Sequence, residues 1–509
     1  MTPFAELVQA SGRVAATSSR LAKVRELGDF LKKLEPPEIS VALPYLSGDL
    51  RQGRLAVGYA ALQSARTVPV SAAALAIADV DRTFDKLKTV KGKGAAGQRA
   101  ALLRELFRRA TANEQDFLVR LIVGELRQGA LEGIMVDAVA AAAARPAAEV
   151  RRAVAFAGAI APVAQAALAG EALDRFSVRL MQPVLPMLAQ PAEDARAAIG
   201  ALGEALVEWK LDGARMQVHK NGDEVRIYTR NLNEVTGRVP EIVSKVKEAK
   251  PKSLILDGEA IALRADRRPY PFQVTMSRFG SRQDPAAGLA ERPLSAFFFD
   301  CLYLDGEPLF DHPTRERRAA LCRALPAELV TPAIQTGNAE QAEKFYQGAL
   351  AAGHEGAMIK GLEAPYEAGR RGAAWLKVKR ARTLDLVVLA AEWGHGRRRG
   401  WLSNLHLGAR DPAGGFVMLG KTFKGLTDAM LEWQTKELER RALSRDEWIV
   451  QVRPELVVEI AFNDLQESSQ YPGGLALRFA RVKGYRPDKR PEDADTIDTV
   501  RRIYEESVA

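Results

Sequence analysis

Apolar residues recur at helical spacing along the opening stretch of the chain and shift to a spacing of two beyond it. Leu21, Val24, Leu27, Leu31 and Leu34 fall on one helical stripe behind Thr17-Ser18-Ser19, which can cap a helix, and Pro36-Pro37 stops the run. The windows Ala100–Phe107 and Asp116–Ile122 repeat the pattern, so residues 1–178 read as all-helical. The segment Met181–Ala189 carries Pro183 and Pro186, through which no helix continues, and it marks a boundary.

Beyond the boundary, Met216-Gln217-Val218-His219 alternates into Asn221-Gly222, a strong hairpin signal, and Val225–Arg230 alternates again. With the even positions from Ala214 to Val218 facing a core, Arg215 and Gln217 face the other way, so Lys210 and Arg215 can flank one pocket. Leu254-Ile255-Leu256 runs into Asp257-Gly258-Glu259, and Phe297-Phe298-Phe299-Asp300 leads to a turn at Asp305-Gly306. A short apolar run has Glu355 at one end and Lys360 at the other, and Trp375–Arg380 alternates so that Lys377 and Lys379 share a strand face. Residues 179–382 therefore read as α+β. Leu384–Leu389 opens a third region of short strands and glycine turns, residues 383–509, which suits a small β-barrel.

A length of 509 residues accommodates about three domains of ordinary size. With 47% hydrophobic and 27% charged residues, the chain reads as soluble and globular. A formal charge of +9 and a pI near 9.4 favour a polyanionic partner. Two cysteines, Cys301 and Cys322, and five scattered histidines exclude zinc fingers and a disulfide framework, and point to a reducing compartment. Ala153–Ala164 is apolar but too short to span a bilayer and broken by Pro162; no signal segment opens the sequence, and a cytoplasmic placement is expected. Gly92 and Gly97 have phosphate-loop spacing, but Gln98-Arg99 stands where that motif needs Lys-Ser/Thr, leaving at most a glycine-rich helix entry near a phosphate.

Taken singly, an Asp-Gly-Glu is usually a turn, a Phe-Phe-Phe core and a Lys-Val-Lys a solvated strand face. Taken together, Lys210-x-Asp212-Gly213-x-Arg215, Asp257-Gly258-Glu259, Phe299-Asp300, Glu355-Gly356 with Lys360, and Lys377-x-Lys379 resemble, in order and separation, the motif series of ATP-dependent DNA ligases. Gly124–Gly129, with Arg127, resembles part of the helical DNA-binding domain of the larger members, and Arg478-Phe479-Ala480-Arg481 with Arg486-Pro487-Asp488-Lys489 resembles their last motif, departing from it at Ala480. The resemblance implies an all-α N-terminal DNA-binding domain, an ATP-grasp-like nucleotidyltransferase domain and an OB-fold. It implies Lys210 as the nucleophile that takes AMP from ATP, and Glu259 and Glu355 as ligands of magnesium, with manganese able to substitute. ATP and AMP contacts are implied at Glu208, Arg215, Arg230, Glu259, Phe299, Lys377, Lys379, Arg481, Arg486, Asp488 and Lys489. Nicked duplex DNA is the implied partner of a nucleoid-associated monomer. A sliding-clamp contact is not identifiable, and the pathway, replication or repair, is not legible. Capping enzymes and RNA ligases share the lysine motif but not the long helical leader, a dead scaffold would have lost the charged residues, and NAD-dependent ligases carry a cysteine zinc finger.

Overall fold

Pro36-Pro37, which end the leucine stripe, also begin the next helix: Pro36 is the first residue of Pro36–Ser47, where a missing N–H costs nothing. The computed structural model describes the chain except residues 127, 130–131, 281–292, 381, 396–397 and 509 and the side chains of 507–508; Arg127 and the Arg397 of a basic loop lie outside the described residues. Ser19 caps the preceding helix, Arg20–Leu31, by accepting from the Ala22 N–H, and Leu27 and Leu31 enter the core. Leu21 does not; it is 80% exposed, on the far side of the stripe. The alanine-rich segment is two helices, Ala147–Ala157 and Ile160–Leu168, broken at Gly158 (φ +70°) and not at Pro162, which sits in a first turn. Gly94, at φ +83°, opens Ala95–Arg108. These helices share one core built around Phe4, Tyr45, Phe84, Phe107 and Phe117.

Two five-stranded sheets follow. The first runs β1 (Leu188–Pro191), β10 (Arg371–Lys379), β9 (Gly356–Gly361), β2 (Ala205–Lys210), β8 (Ala333–Thr336), antiparallel except for the β1–β10 pair. The second runs β4 (Glu224–Thr229), β3 (Ala214–Asn221), β5 (Ser253–Ala262), β6 (Leu294–Leu304), β7 (Glu307–Pro308), all antiparallel. The β3–β4 hairpin forms one residue later than the Asn-Gly signal suggests: Asn221 pairs with Glu224, leaving Gly222-Asp223 as the turn with Gly222 at φ +60°. One face of the second sheet buries Met216, Val218, Ile227, Leu254 and Leu256, while Ala195–Leu202 and Ala339–Ala351 cover the first. Ile255, Leu302, Phe310, Tyr366 and Trp375 form a further core from residues of both sheets, joined by Phe156 of the helical leader.

The last region is organised on β11 (Arg382–Trp393). One edge pairs with β12 (Leu402–Arg410), and the other with β16 (Val457–Phe462) along its first half and β15 (Ile449–Val452) along its second. The strands β13 (Phe416–Thr422), β14 (Ala442–Arg445) and β19 (Arg481–Tyr485) complete a seven-stranded sheet, beside a pair formed by β17 (Asp464–Glu467) and β18 (Leu475–Arg478). Helices Asp428–Arg440 and Ile497–Val508 pack with it, so the region mixes helix and sheet, a feature the run of short strands did not announce. No described helix is long and apolar enough to cross a membrane.

Candidate active site

Lys210 ends β2 where the two central sheets meet, and the backbone there is fixed by close approach. A Cβ on Gly213 would strike the Ala260 carbonyl of β5, and one on Gly356, at φ +146°, would strike the Val378 carbonyl of β10, which is why both motif glycines are glycine. The cavity beside Lys210, about 210 Å³, is lined by Glu208, Arg215, Arg230, Glu259, Phe299, Lys377 and Lys379, so eight of the residues singled out from the sequence, Lys210 included, converge. Lys360, the lysine at the end of the apolar run after Glu355, lines it too, as do Met358, Thr331, Arg371 and Trp375; no local pattern marked these last four for the site, although Met358, Lys360 and Trp375 alternate on the inner faces of β9 and β10.

Electrostatically the cavity is a cluster of cations around few anions. Burial pulls the Lys210 ammonium below the usual lysine range; Glu259 and Asp212 oppose that, and Arg215 and Arg230 reinforce it. Lys379 is brought down to about 8 and Lys377 in the same direction, burial leading in each, and Lys210 adds to both. Glu259 is pushed up to about 7 by burial, against the pull of Lys210 and Arg215. Glu355 lies on the other side of Lys210, outside the cavity lining, where one carboxylate oxygen meets Lys210 and the other Lys379. Among the described residues no group of three or more His, Cys, Asp or Glu could hold a metal. Glu259 and Glu355 offer two carboxylates, the sparse oxygen set that suits magnesium shared with phosphates and water.

Arg215 is braced more fully than a free phosphate-binding arginine. It grips Asp257 with two hydrogen bonds of 3.0 and 2.6 Å, donates to the Met187 carbonyl at 2.7 Å, and lies 5.5 Å from the centre of the Phe299 ring. Glu208 is likewise engaged: its carboxylate takes Lys360 at 2.6 Å and Arg318 at 3.2 Å. Its pKa is raised, since burial outweighs both cations. Lys360 also donates to the Phe299 carbonyl at 3.0 Å and sits 4.3 Å from the centre of the Trp375 ring. Two buried polar atoms of the cavity residues, Thr331 Oγ1 and Trp375 Nε1, have no partner.

Curated relatives are similar to this chain over nearly the whole of both sequences. A probable DNA ligase of Anaeromyxobacter sp. (strain Fw109-5) is 60% identical over 513 residues, covering 99% of both chains. One of Sorangium cellulosum (strain So ce56) is 54% identical over 509 residues, covering 99% of this chain and 96% of its own. The ATP dependent DNA ligase domain model matches residues 186–379, the DNA ligase N terminus model residues 55–140, and the ATP dependent DNA ligase C terminal region model residues 398–489. The chain belongs to the ATP-dependent DNA ligase family. A solved structure titled Pmar-Lig_PreS3 shares its fold, with a TM-score of 0.63 at 18% identity over 94% of this chain and 99% of the other.

In this ligase the last motif is divided. Arg478 reaches Asp212 at 3.8 Å and lies 4.5 Å from the centre of the Phe272 ring, and Arg481 stands near enough to help depress the Lys379 pKa. Arg486, Asp488 and Lys489 lie outside the cavity lining in this arrangement of the chain. Arg486 pairs with Asp488 at 2.6 Å and Asp385 at 3.3 Å, and Lys489 pairs with the same Asp385, so their charges are satisfied on β11. That pairing holds Asp488 down at about 2.

Proposed function

We propose that this ligase seals 5′-phosphate/3′-hydroxyl nicks in duplex DNA by way of a lysyl-AMP intermediate and a DNA-adenylate. The observation that carries the reading is Lys210: a lysine whose ammonium is destabilised by burial and by neighbouring arginines, on the rim of a cavity that holds further cations for phosphates. Its unprotonated Nζ attacks the α-phosphorus of ATP in line; the bond to the bridging oxygen breaks, pyrophosphate leaves, and the nitrogen sheds one of its two protons to solvent, leaving a phosphoramidate N–H. Lys377, Lys379 and Arg230 neutralise the phosphates, Phe299 stacks on the base, and Glu208 accepts from its amino group. A magnesium ion held by Glu259 and Glu355 would supply further charge neutralisation at the phosphates. AMP then passes to the 5′-phosphate of the nick, and the 3′-hydroxyl displaces it.

In this reading residues 1–178 clamp DNA, 179–382 carry adenylation, and 383–509 form an OB-fold that repositions between steps, taking Arg481, Arg486, Asp488 and Lys489 to the pyrophosphate. Incubation with α-labelled ATP and magnesium, followed by denaturing electrophoresis, tests the nucleophile. The wild-type chain takes up acid-labile label and Lys210→Arg takes up none, because an arginine cannot be deprotonated to attack. Label at wild-type level on Lys210→Arg would remove the assignment.

A further inference from the structure

Thr331 precedes β8 and is 2% exposed. Its backbone is fully committed: the N–H donates to the Phe298 carbonyl at 2.9 Å, and its own carbonyl accepts from Arg318 at 2.8 Å. Thr331 lines the cavity, and its hydroxyl, itself buried, has no partner, which buried hydroxyls rarely tolerate in a finished fold. Arg318 bonds both the Thr331 carbonyl and the Glu208 carboxylate, so one guanidinium sets the hydroxyl and the carboxylate into the same wall.

We infer that Thr331 reads the base, its hydroxyl donating to a ring nitrogen of adenine while Glu208 accepts from the neighbouring amino group. The inference rests on the reading of Glu208 as the residue that faces that amino group. An ionised carboxylate only accepts, whereas a hydroxyl can turn its hydrogen toward an acceptor. The pair therefore complements an amino donor beside a ring-nitrogen acceptor, the arrangement adenine presents on either side of its amino group. Guanine turns an acceptor oxygen toward the carboxylate and is rejected. Arg318 is the positioning residue that keeps the two in register.

Thr331→Val keeps the shape and removes the hydroxyl. In self-adenylation by the full chain, KM for ATP rises roughly ten-fold with kcat nearly unchanged, the mark of uniform binding lost. The nucleotide-free variant melts no lower than the parent, because no internal hydrogen bond is lost. Thr331→Ser restores KM. Of 7-deaza-ATP and 1-deaza-ATP, one binds the parent weakly, and Thr331→Val no longer distinguishes that analogue from ATP. An unchanged KM for ATP, or a lower melting temperature with equal losses on ATP and both analogues, overturns the inference. Purine riboside triphosphate, which lacks the amino group, tests the underlying reading separately. If the parent binds it as well as ATP, the Glu208 reading fails. If the parent rejects it while Thr331→Val leaves KM for ATP untouched, only the role of Thr331 fails.

Discussion

Replacing Lys360 with methionine removes a cation while keeping a flexible apolar stem of similar reach. Lys360 and Glu208 are each 1% exposed and 2.6 Å apart, so the change strands a carboxylate that only the partly exposed Arg318 still meets. Breaking one side of a buried pair costs roughly 3–5 kcal/mol, and the Phe299 carbonyl loses its donor for about 1 kcal/mol more. At about 2–4 °C per kcal/mol for a domain of this size, the melting temperature falls by roughly 8–24 °C at pH 8. Acid relieves part of that loss. Burial already raises the Glu208 pKa, and Lys360 is the strongest charge opposing it, so the variant carboxyl titrates higher still. A carboxyl whose folded pKa lies above its unfolded one stabilises the fold when protonated. That contribution is complete below the unfolded pKa of about 4.3 and vanishes as pH rises through the folded value. The gap between parent and variant is therefore narrower at pH 5.5 than at pH 8. Thermal melts followed by circular dichroism at the two pH values, with KM for ATP alongside, measure this. Melting temperatures within about 2 °C of the parent at both values would show that the pair does not carry the charge balance argued here.

Glu259, raised from 4.5 to about 7 by burial, binds its proton more tightly folded than unfolded, so the nucleotide-free parent loses about 3 kcal/mol as pH rises from 4.5 through 7. Glu259→Gln flattens that slope, and urea midpoints at pH 5 and 8 that shift equally in parent and variant would refute it. Arg481→Ala slows self-adenylation by roughly 10³-fold, since it removes a cation from the transferring phosphates, yet spares sealing of a nick that already carries AMP on its 5′-phosphate. Lys379→Ala, from a strand of the cavity itself, impairs both; equal defects for Arg481→Ala on the two substrates in single-turnover kinetics would mean the last region is a fixed part of the site.

What the sequence by itself determined is what a local period can encode. A leucine stripe behind Ser19 makes a helix, alternation through Met216 and Val218 makes a strand with Arg215 on its other face, and Gly213 and Gly356 stand where a Cβ would strike a neighbouring strand. Among the motif residues that converge, Glu208, Lys210, Arg215, Arg230, Lys377 and Lys379 lie at or near strand ends, which can be read from alternation and turns, whereas Glu259 and Phe299 lie within β5 and β6. Partner choice was not local. Glu208 meets Arg318 and Lys360, and Arg215 meets Asp257, across separations of 42 to more than 100 residues fixed only when sheets pair and helices pack. The same holds for Leu21, whose stripe position says nothing of which side faces solvent, and for Thr331, an unremarkable residue before a proline. Arg486 and Lys489 make the physical reason plainest: a charge is drawn to whichever opposite charge the fold brings within reach, and here the tertiary structure brings Asp385.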